Sequence, residues 1–335
     1  MKGKEFIVST TYSLILPNVT SLYYIAFDET GNLIYTVNYF DFENTAPTAY
    51  VYWNSVTQSA TFFADERHGT TMDWQTHEYL HRTRGASFAR GFQILSFDIT
   101  GNGDLDTHSQ ISLEGGTFFD EDVQVDISHS PAPVPGQFEQ ILQPIAQIPM
   151  VYRLGDTWTI DPPTSFPVKQ GSQRIQKNTF NGVNWVTEDV ANNQYTNTWV
   201  VATNNLEYPI LCILDQNVYQ NVNEAAETDL FELELDGLPL LEFRTLYRLT
   251  WLTANNMSNT PHCALRGYTD NRVSFVPPVP QLYDPVIPFD YSLFQPGDLV
   301  RYDGTSFVPM TGFTGSFTAD GQTVNVQNGV ITSVN

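Results

Sequence analysis

Short runs of β-branched and aromatic residues, each ended by a Gly, Pro, Asn or Asp turn, recur along this chain and leave little room for long helices. Ser21-Leu-Tyr-Tyr-Ile-Ala-Phe27 leads through Asp28-Glu-Thr-Gly-Asn32 into Leu33-Ile-Tyr-Thr-Val-Asn-Tyr39, which predicts a hairpin. Tyr50-Val-Tyr-Trp53 and Ala60-Thr-Phe-Phe63 predict a second pair, and no helical periodicity runs from Phe6 to Phe63. The expected fold is mainly β: two β-rich, sandwich-like domains with one short helix, plus a small C-terminal β-hairpin module.

Proline sets the expected boundaries, because it removes a backbone donor and fixes φ. Ser130-Pro-Ala-Pro-Val-Pro-Gly136 separates an N-terminal β-rich domain, 1–130, from a second one, 137–275. Strands are expected in the second at Asn184–Thr187, Thr198–Ala202 and Tyr208–Leu214. A helix is expected from Asn223 to about Leu235, with Asn223 as N-cap, Glu224 and Glu227 near its positive end, and Asp236-Gly237 as a stop. A Pro-rich linker, 276–290, then leads to a docking or oligomerisation module, 291–335. Its strands read Gly304–Val308, Ser316–Thr318, Thr323–Gln327 and Val330–Val334, with Asp320-Gly321 and Asn328-Gly329 as turns. A module of that size has almost no core of its own, so docking or self-association is expected to complete its burial.

Charge removes whole classes of partner. Thirty-seven acidic residues face fifteen basic ones, a net charge of −22. Phosphate backbones and anionic membrane surfaces both require clustered Lys and Arg, so neither nucleic acid nor membrane is an expected partner. No segment approaches the roughly 18 apolar residues that span a bilayer. Met1-Lys-Gly-Lys-Glu-Phe6 is not followed by an apolar core of signal-peptide length, so Sec export is not expected. Cys212 and Cys263 cannot make a disulfide framework, and Cys212, within Pro209–Leu214, reads as a small buried hydrophobe.

The stretch Asp65–Gly85 carries three of the six histidines, and within it His77-Glu78-Tyr79-Leu80-His81 matches H-E-x-x-H. Zinc-protease chemistry needs both His one helical turn apart and the Glu beside the metal-bound water. A helix over Asp73–Arg84 would put Trp74, His77 and His81 on one stripe with Gly85 as its stop. A strand would put His77, Tyr79 and His81 on one face. The extended metzincin form fails, since Arg84 stands where that form has Gly; a distant Glu114 or Glu121 is the remaining candidate ligand. Packing or hydrogen-bonded histidines are the favoured reading, a structural metal site on His77 and His81 the next, and an active protease the last.

Asp98–Asp106 places oxygens at positions one, three, five, seven and nine with Gly103 at six, like the start of a calcium loop, but Ser109 stands where a bidentate Glu belongs. A plain turn is the favoured reading. Phe118-Phe-Asp-Glu-Asp122 groups three carboxylates, which glycoside hydrolysis could use only across a cleft. No catalytic, cofactor-binding or metal-ligating residue is assigned, and no cofactor is expected.

Ala49-Tyr-Val-Tyr-Trp-Asn54, Ala64-Asp-Glu-Arg-His-Gly69, Met72-Asp73 and Thr76–Ala86 resemble structural proteins of tailed bacteriophages, as do Phe119–Val123, Leu142–Pro149, Gly237–Pro239 and Glu242-Phe243. The likeness covers most of residues 20 to 265. The ending, Thr314-Gly-Ser-Phe-Thr and Val324–Val334, is similar to C-terminal modules of phage fibres and appendages. The resemblance implies a non-enzymatic virion protein, a tail or head fibre or appendage component. Its expected partners are other virion proteins (head, neck, baseplate or tail) and copies of itself, as a homotrimer. A receptor-binding tip recognising host-surface glycans is the alternative, and a zinc-dependent hydrolase using HEYLH the lesser one. The Arg67-His68 and His77/His81 block is then expected to form an internal polar network.

Overall fold

A computed structural model describes residues 11–68 and 73–272, together with strands at 300–302, 307–309, 315–319, 322–327 and 330–334. The fold is mainly β, and the chain divides into two compact units, Met1–Gln281 and Leu282–Asn335.

The first sheet comprises β1 (Ser21–Phe27), β2 (Leu33–Thr36), β3 (Ala46–Asn54) and β4 (Ser59–Asp65), antiparallel in the order β2-β1-β3-β4. The β1–β2 pairing, Tyr24 opposite Thr36 through Phe27 opposite Leu33, is the hairpin expected from sequence. Asp28 fixes its turn: Oδ1 accepts from the Thr30 hydroxyl at 2.7 Å and from the Thr30 and Asn32 amides at 2.9 Å. The Thr30 hydroxyl, and then the Asn32 amide, hold the Asp28 carboxyl down at about 2. The folded state therefore prefers the ionised form, and the turn has its full stability above the unfolded carboxyl value of about 3.9. That contribution is lost as pH falls towards 2. An NMR titration of the Asp28 side chain should show a midpoint near 2, and a midpoint near 4 would refute the assignment of these bonds.

Helix α1 (Trp74–Thr83) follows, with Asp73 capping it by accepting from the Thr76 amide and Gly85 ending it at φ +53°. Of the two conformations open to His77 and His81, the helix is the one formed. Next come β5 (Ala86–Gly91), the short pair β6 (Ile94–Ser96) and β7 (Ser112–Leu113), β8 (Gly116–Asp120), β9 (Val123–His129) and β10 (Glu139–Gln140). The second sheet has the order β10-β9-β8-β5.

The largest sheet has six strands. They draw on β11 (Met150–Leu154), β12 (Thr157–Ile160), β15 (Gln194–Thr203), β16 (Ile210–Leu214), β17 (Phe243–Thr253) and β18 (Cys263–Asp270), in the order β12-β11-β16-β15-β17-β18. β13 (Gln176–Phe180) and β14 (Trp185–Asp189) form a separate hairpin. Alternation along β15 and β16 sends side chains to two different cores. Val200, Ala202, Ile210, Cys212 and Leu214 pack with Phe92, Phe118 and Val125 of the 86–127 region. Trp199, Val201, Leu211 and Ile213 pack with Tyr52 and Phe62 of the first sheet. The sheet is thus covered on both faces, which is why β16 reads as a continuous apolar run. Cys212 and Cys263 are buried in the first of these cores as free thiols.

Two expectations are corrected. The Pro131–Pro135 stretch does not divide the chain into separate cores: one core takes residues from Ala86 to Leu265, and β10, beyond the prolines, pairs in parallel with β9. Backbone links reinforce the joint, with the Leu206 amide donating to Phe63 O and the Gly136 amide to Leu206 O. The helix expected at 223–235 is also shorter. It breaks into α2 (Val222–Ala226), capped by Asn221 rather than Asn223, and a 3-10 turn at Leu230–Glu232 capped by Asp229. Asn197 Nδ2 takes the Ala225 carbonyl and the Arg248 guanidinium those of Ala226 and Thr228, so tertiary donors satisfy what the helix would have used next.

In the second unit, β19 (Val300–Tyr302) pairs with β20 (Phe307–Pro309), and β21 (Gly315–Ala319), β22 (Gln322–Gln327) and β23 (Val330–Val334) form a three-stranded meander. β21, β22 and β23 fall where the sequence placed strands, β20 overlaps the expected Gly304–Val308 only at Phe307 and Val308, and β19 was not expected. The linker at 276–290 and both turn dipeptides lie outside the described residues.

Candidate metal centre

Four separate segments deliver polar side chains to one buried spot. The chain just after β4 gives Glu66 and His68, α1 gives His77 and His81, the β8–β9 turn gives Asp120, Glu121 and Asp122, and the residue before β17 gives Glu242. His77 and His81 face inward because they stand one helical turn apart on α1. Phe42 lies against both, with ring centroids 4.5 and 5.0 Å away.

The β8–β9 turn does something sequence could not announce. Asp120 pairs with Val123, so Glu121 and Asp122 form a two-residue hairpin turn, with Glu121 at φ +44°. Gly, Asn or Asp is the usual occupant of such a position. Here a glutamate takes it, and its side chain is fully buried.

The geometry is tight. His77 Nε2 lies 3.0 Å from His81 Nε2. Glu121 Oε2 lies 3.3 Å from His81 Nε2 and 3.9 Å from His68 Nε2. The other ring nitrogens of two of these histidines rest on carboxylates: His68 Nδ1 on Asp122 Oδ1 at 2.6 Å and His81 Nδ1 on Glu242 Oε1 at 3.1 Å. Asn204, just beyond the end of β15, donates from Nδ2 to Glu66 Oε1 at 3.3 Å, Asp120 Oδ2 at 3.1 Å and the Asp65 carbonyl, while its Oδ1 accepts from the Tyr50 hydroxyl.

Charges in this spot are held in unusual states. Burial, then the charge on His68, pushes His77 down to about 4, and burial, then His77, pushes His81 well below its ordinary value. Burial also opposes charge on His68, but the Glu66 and Asp122 carboxylates outweigh it and hold that imidazole up at about 9. Burial raises Glu121 to about 7 and raises Glu66, Asp120 and Glu242 as well. Five carboxyl groups thus converge on three imidazoles.

The H-E-x-x-H glutamate is elsewhere. Glu78 Oε1 accepts from Arg82 Nη2 at 2.8 Å on the outer face of α1, a third of its side chain exposed. Of the two distant candidates, Glu121 joins the histidines. Glu114 instead lines an open groove with Arg90, Gln93 and Arg272. The Asp98–Asp106 loop folds around an imidazole: His108 Nδ1 accepts from the Gly103 and Leu105 amides, within the span expected of a calcium loop. Asp98 Oδ1 takes the Thr100 and Gly101 amides, and Asp106 takes the amide and hydroxyl of Thr260. A Cβ at Gly101 would overlap the His108 ring, so that glycine admits the close approach. The carboxylates of 120–122 face the protein's interior and not a cleft.

Sequence reasoning placed His77, His81 and Glu121 together as one option, and His68 in the same polar block. It missed Asn204 and the roles of Glu66, Asp120 and Glu242. Compared with known proteins, the chain matches no family model, no curated protein and no solved structure.

Proposed function

We propose that this chain is a non-enzymatic structural protein of a tailed-bacteriophage particle, a tail or head fibre or appendage component that works by β-rich self-association. The observation that carries the reading is the disposition of HEYLH. Its histidines are buried against Phe42, and its glutamate is turned outward onto Arg82. A hydrolytic zinc site keeps an open coordination position and a base beside it. The same two histidines, with His68, Glu121 and Glu242, instead join segments far apart in sequence, as a scaffold requires. Four of the eight stretches that resemble phage structural proteins (Ala64–Gly69, Thr76–Ala86, Phe119–Val123 and Glu242-Phe243) contribute side chains to this junction.

The mainly β fold and the strand-rich second unit fit a protein that assembles with copies of itself. Antibodies against the chain should label purified particles at a defined structure under the electron microscope, and light scattering of the isolated protein should give a trimer. Protein found only in lysate, absent from washed particles, would sink the reading. A soluble chain that instead blocks adsorption would favour the receptor-binding alternative.

A further inference from the structure

We infer that the junction is a zinc site, with His68, His77 and His81 as imidazole ligands and Glu121 as the carboxylate ligand. One donor atom from each lies within 4.8 Å of all the others. Zinc bonded at 2.0–2.1 Å in a tetrahedron needs its donors about 3.3 Å apart. The separations of 3.0, 3.3 and 3.9 Å bracket that value.

Unpartnered buried atoms point the same way. The Glu121 side chain is fully buried, yet neither of its carboxylate oxygens accepts a hydrogen bond, and His68 Nε2 has no hydrogen-bond partner either. Glu66 Oε2 and Asp120 Oδ1 are likewise unbonded at the rim of the same spot. An orphaned buried carboxylate costs several kcal/mol, roughly, and groups so placed are ordinarily satisfied by something. A divalent cation takes a Glu121 oxygen and His68 Nε2 together, and its charge offsets the neighbouring Glu66 and Asp120 carboxyl groups. The left-handed backbone at Glu121 is a further sign, since strain of that kind persists where the surroundings demand a side chain at that point.

The outer partners fit as well. A metal-bound imidazole usually donates its other N–H to a carboxylate, which fixes the tautomer. His68 has Asp122 in that place and His81 has Glu242. Both arrangements leave Nε2 facing the centre, where an ion would take the place of its proton. A second donor set, His81, Asp120, Glu121 and Glu242, overlaps the first. It is the poorer choice, because it offers one imidazole among three carboxylates and Glu242 Oε1 is already engaged with His81 Nδ1. Three imidazoles and one carboxylate at tetrahedral spacing favour zinc over magnesium or calcium, which take six or more oxygens. All four positions are filled from the protein, as in structural zinc sites. The ion would tie the end of β4, helix α1 and the β8–β9 turn to one point.

Zinc binding here does not depend on where in a particle the protein sits. The test uses the full chain, expressed and purified without metal-affinity resin or added metal. Elemental analysis should find about one zinc per chain. A strong chelator should remove it and lower the unfolding midpoint, and one equivalent of zinc should restore it. The chelated, unsubstituted chain should bind Co2+ with the intense visible absorption of a four-coordinate site, a readout that needs no variant to fold. His77→Ala and Glu121→Gln should lose the metal. Glu242→Gln should weaken zinc binding about 10- to 100-fold. Glu78→Gln, on the outer face of α1, should keep the full complement. Zinc below one-tenth of an equivalent with a midpoint indifferent to chelator and added zinc overturns the inference. So does a stoichiometric metal other than zinc, a weak six-coordinate cobalt spectrum, or loss of zinc in Glu78→Gln.

Discussion

Trp251→Ala should lower the midpoint of a single unfolding transition that carries the first sheet, α1 and the six-stranded sheet together. Trp251 is fully buried in the core that runs from Ala86 to Leu265, and its indole N–H donates to Thr198 Oγ1 at 3.0 Å. Truncating a buried tryptophan costs about 3–5 kcal/mol in lost burial and residual cavity. At about 2–4 °C per kcal/mol for a unit of this size, the midpoint should fall by roughly 6–20 °C. The decisive feature is cooperativity. Probes in the first sheet and in β17 should shift together, because the six-stranded sheet is buried on both faces and its loss uncovers both cores. Scanning calorimetry with site-specific probes checks this. If residues 1–130 melted separately and unshifted, the two-domain division expected from sequence would be right and the shared core wrong.

Asn204→Ala should cost a similar amount by a different route, with almost no apolar burial lost. Its amide holds Glu66 and Asp120 from one side, and its carbonyl takes the Tyr50 hydroxyl. Removal strands two fully buried carboxyl groups, each worth roughly 1–3 kcal/mol when left unsatisfied, so about 3–5 kcal/mol is expected. Asn204→Asp should be worse than Asn204→Ala, since it replaces the donor by a like charge facing both carboxylates. Tyr50→Phe should cost less, about 1–2 kcal/mol, because only one hydrogen-bond group is removed. The three midpoints in urea test the order. An Asn204→Asp chain as stable as the parent would show that the amide does not hold these carboxylates.

Much of the β architecture was legible locally. Side-chain pattern and turn chemistry mark strands such as Ser21–Phe27, Val330–Val334 and the Thr198–Ala202 part of β15, because pleat and turn need only near neighbours. The helix under HEYLH was open to either reading, since four-residue and two-residue spacings both align His77 with His81. In the structure Asp73 caps the helix that formed and Gly85 ends it.

The candidate site was half visible. His77 and His81 announce a shared face by spacing alone, but Glu242 lies 161 residues from its partner His81 and Asn204 138 residues from Glu66. Nothing local marks either residue as a donor or acceptor at that spot. Glu121 was one of two candidates, and only the hairpin register, Asp120 opposite Val123, separated it from Glu114.

The chain's own letters, then, determined that it would be a strand-built protein with two histidines aligned on one face, because those properties arise within a few residues. Whether β15 would be covered on one side or two was decided only when the first and second sheets closed over it. The same closure brought three imidazoles and five carboxyl groups to one point. Burial and like-charge proximity depend on what arrives from elsewhere in the chain, so they belong to the packed molecule and have no signature in any single segment.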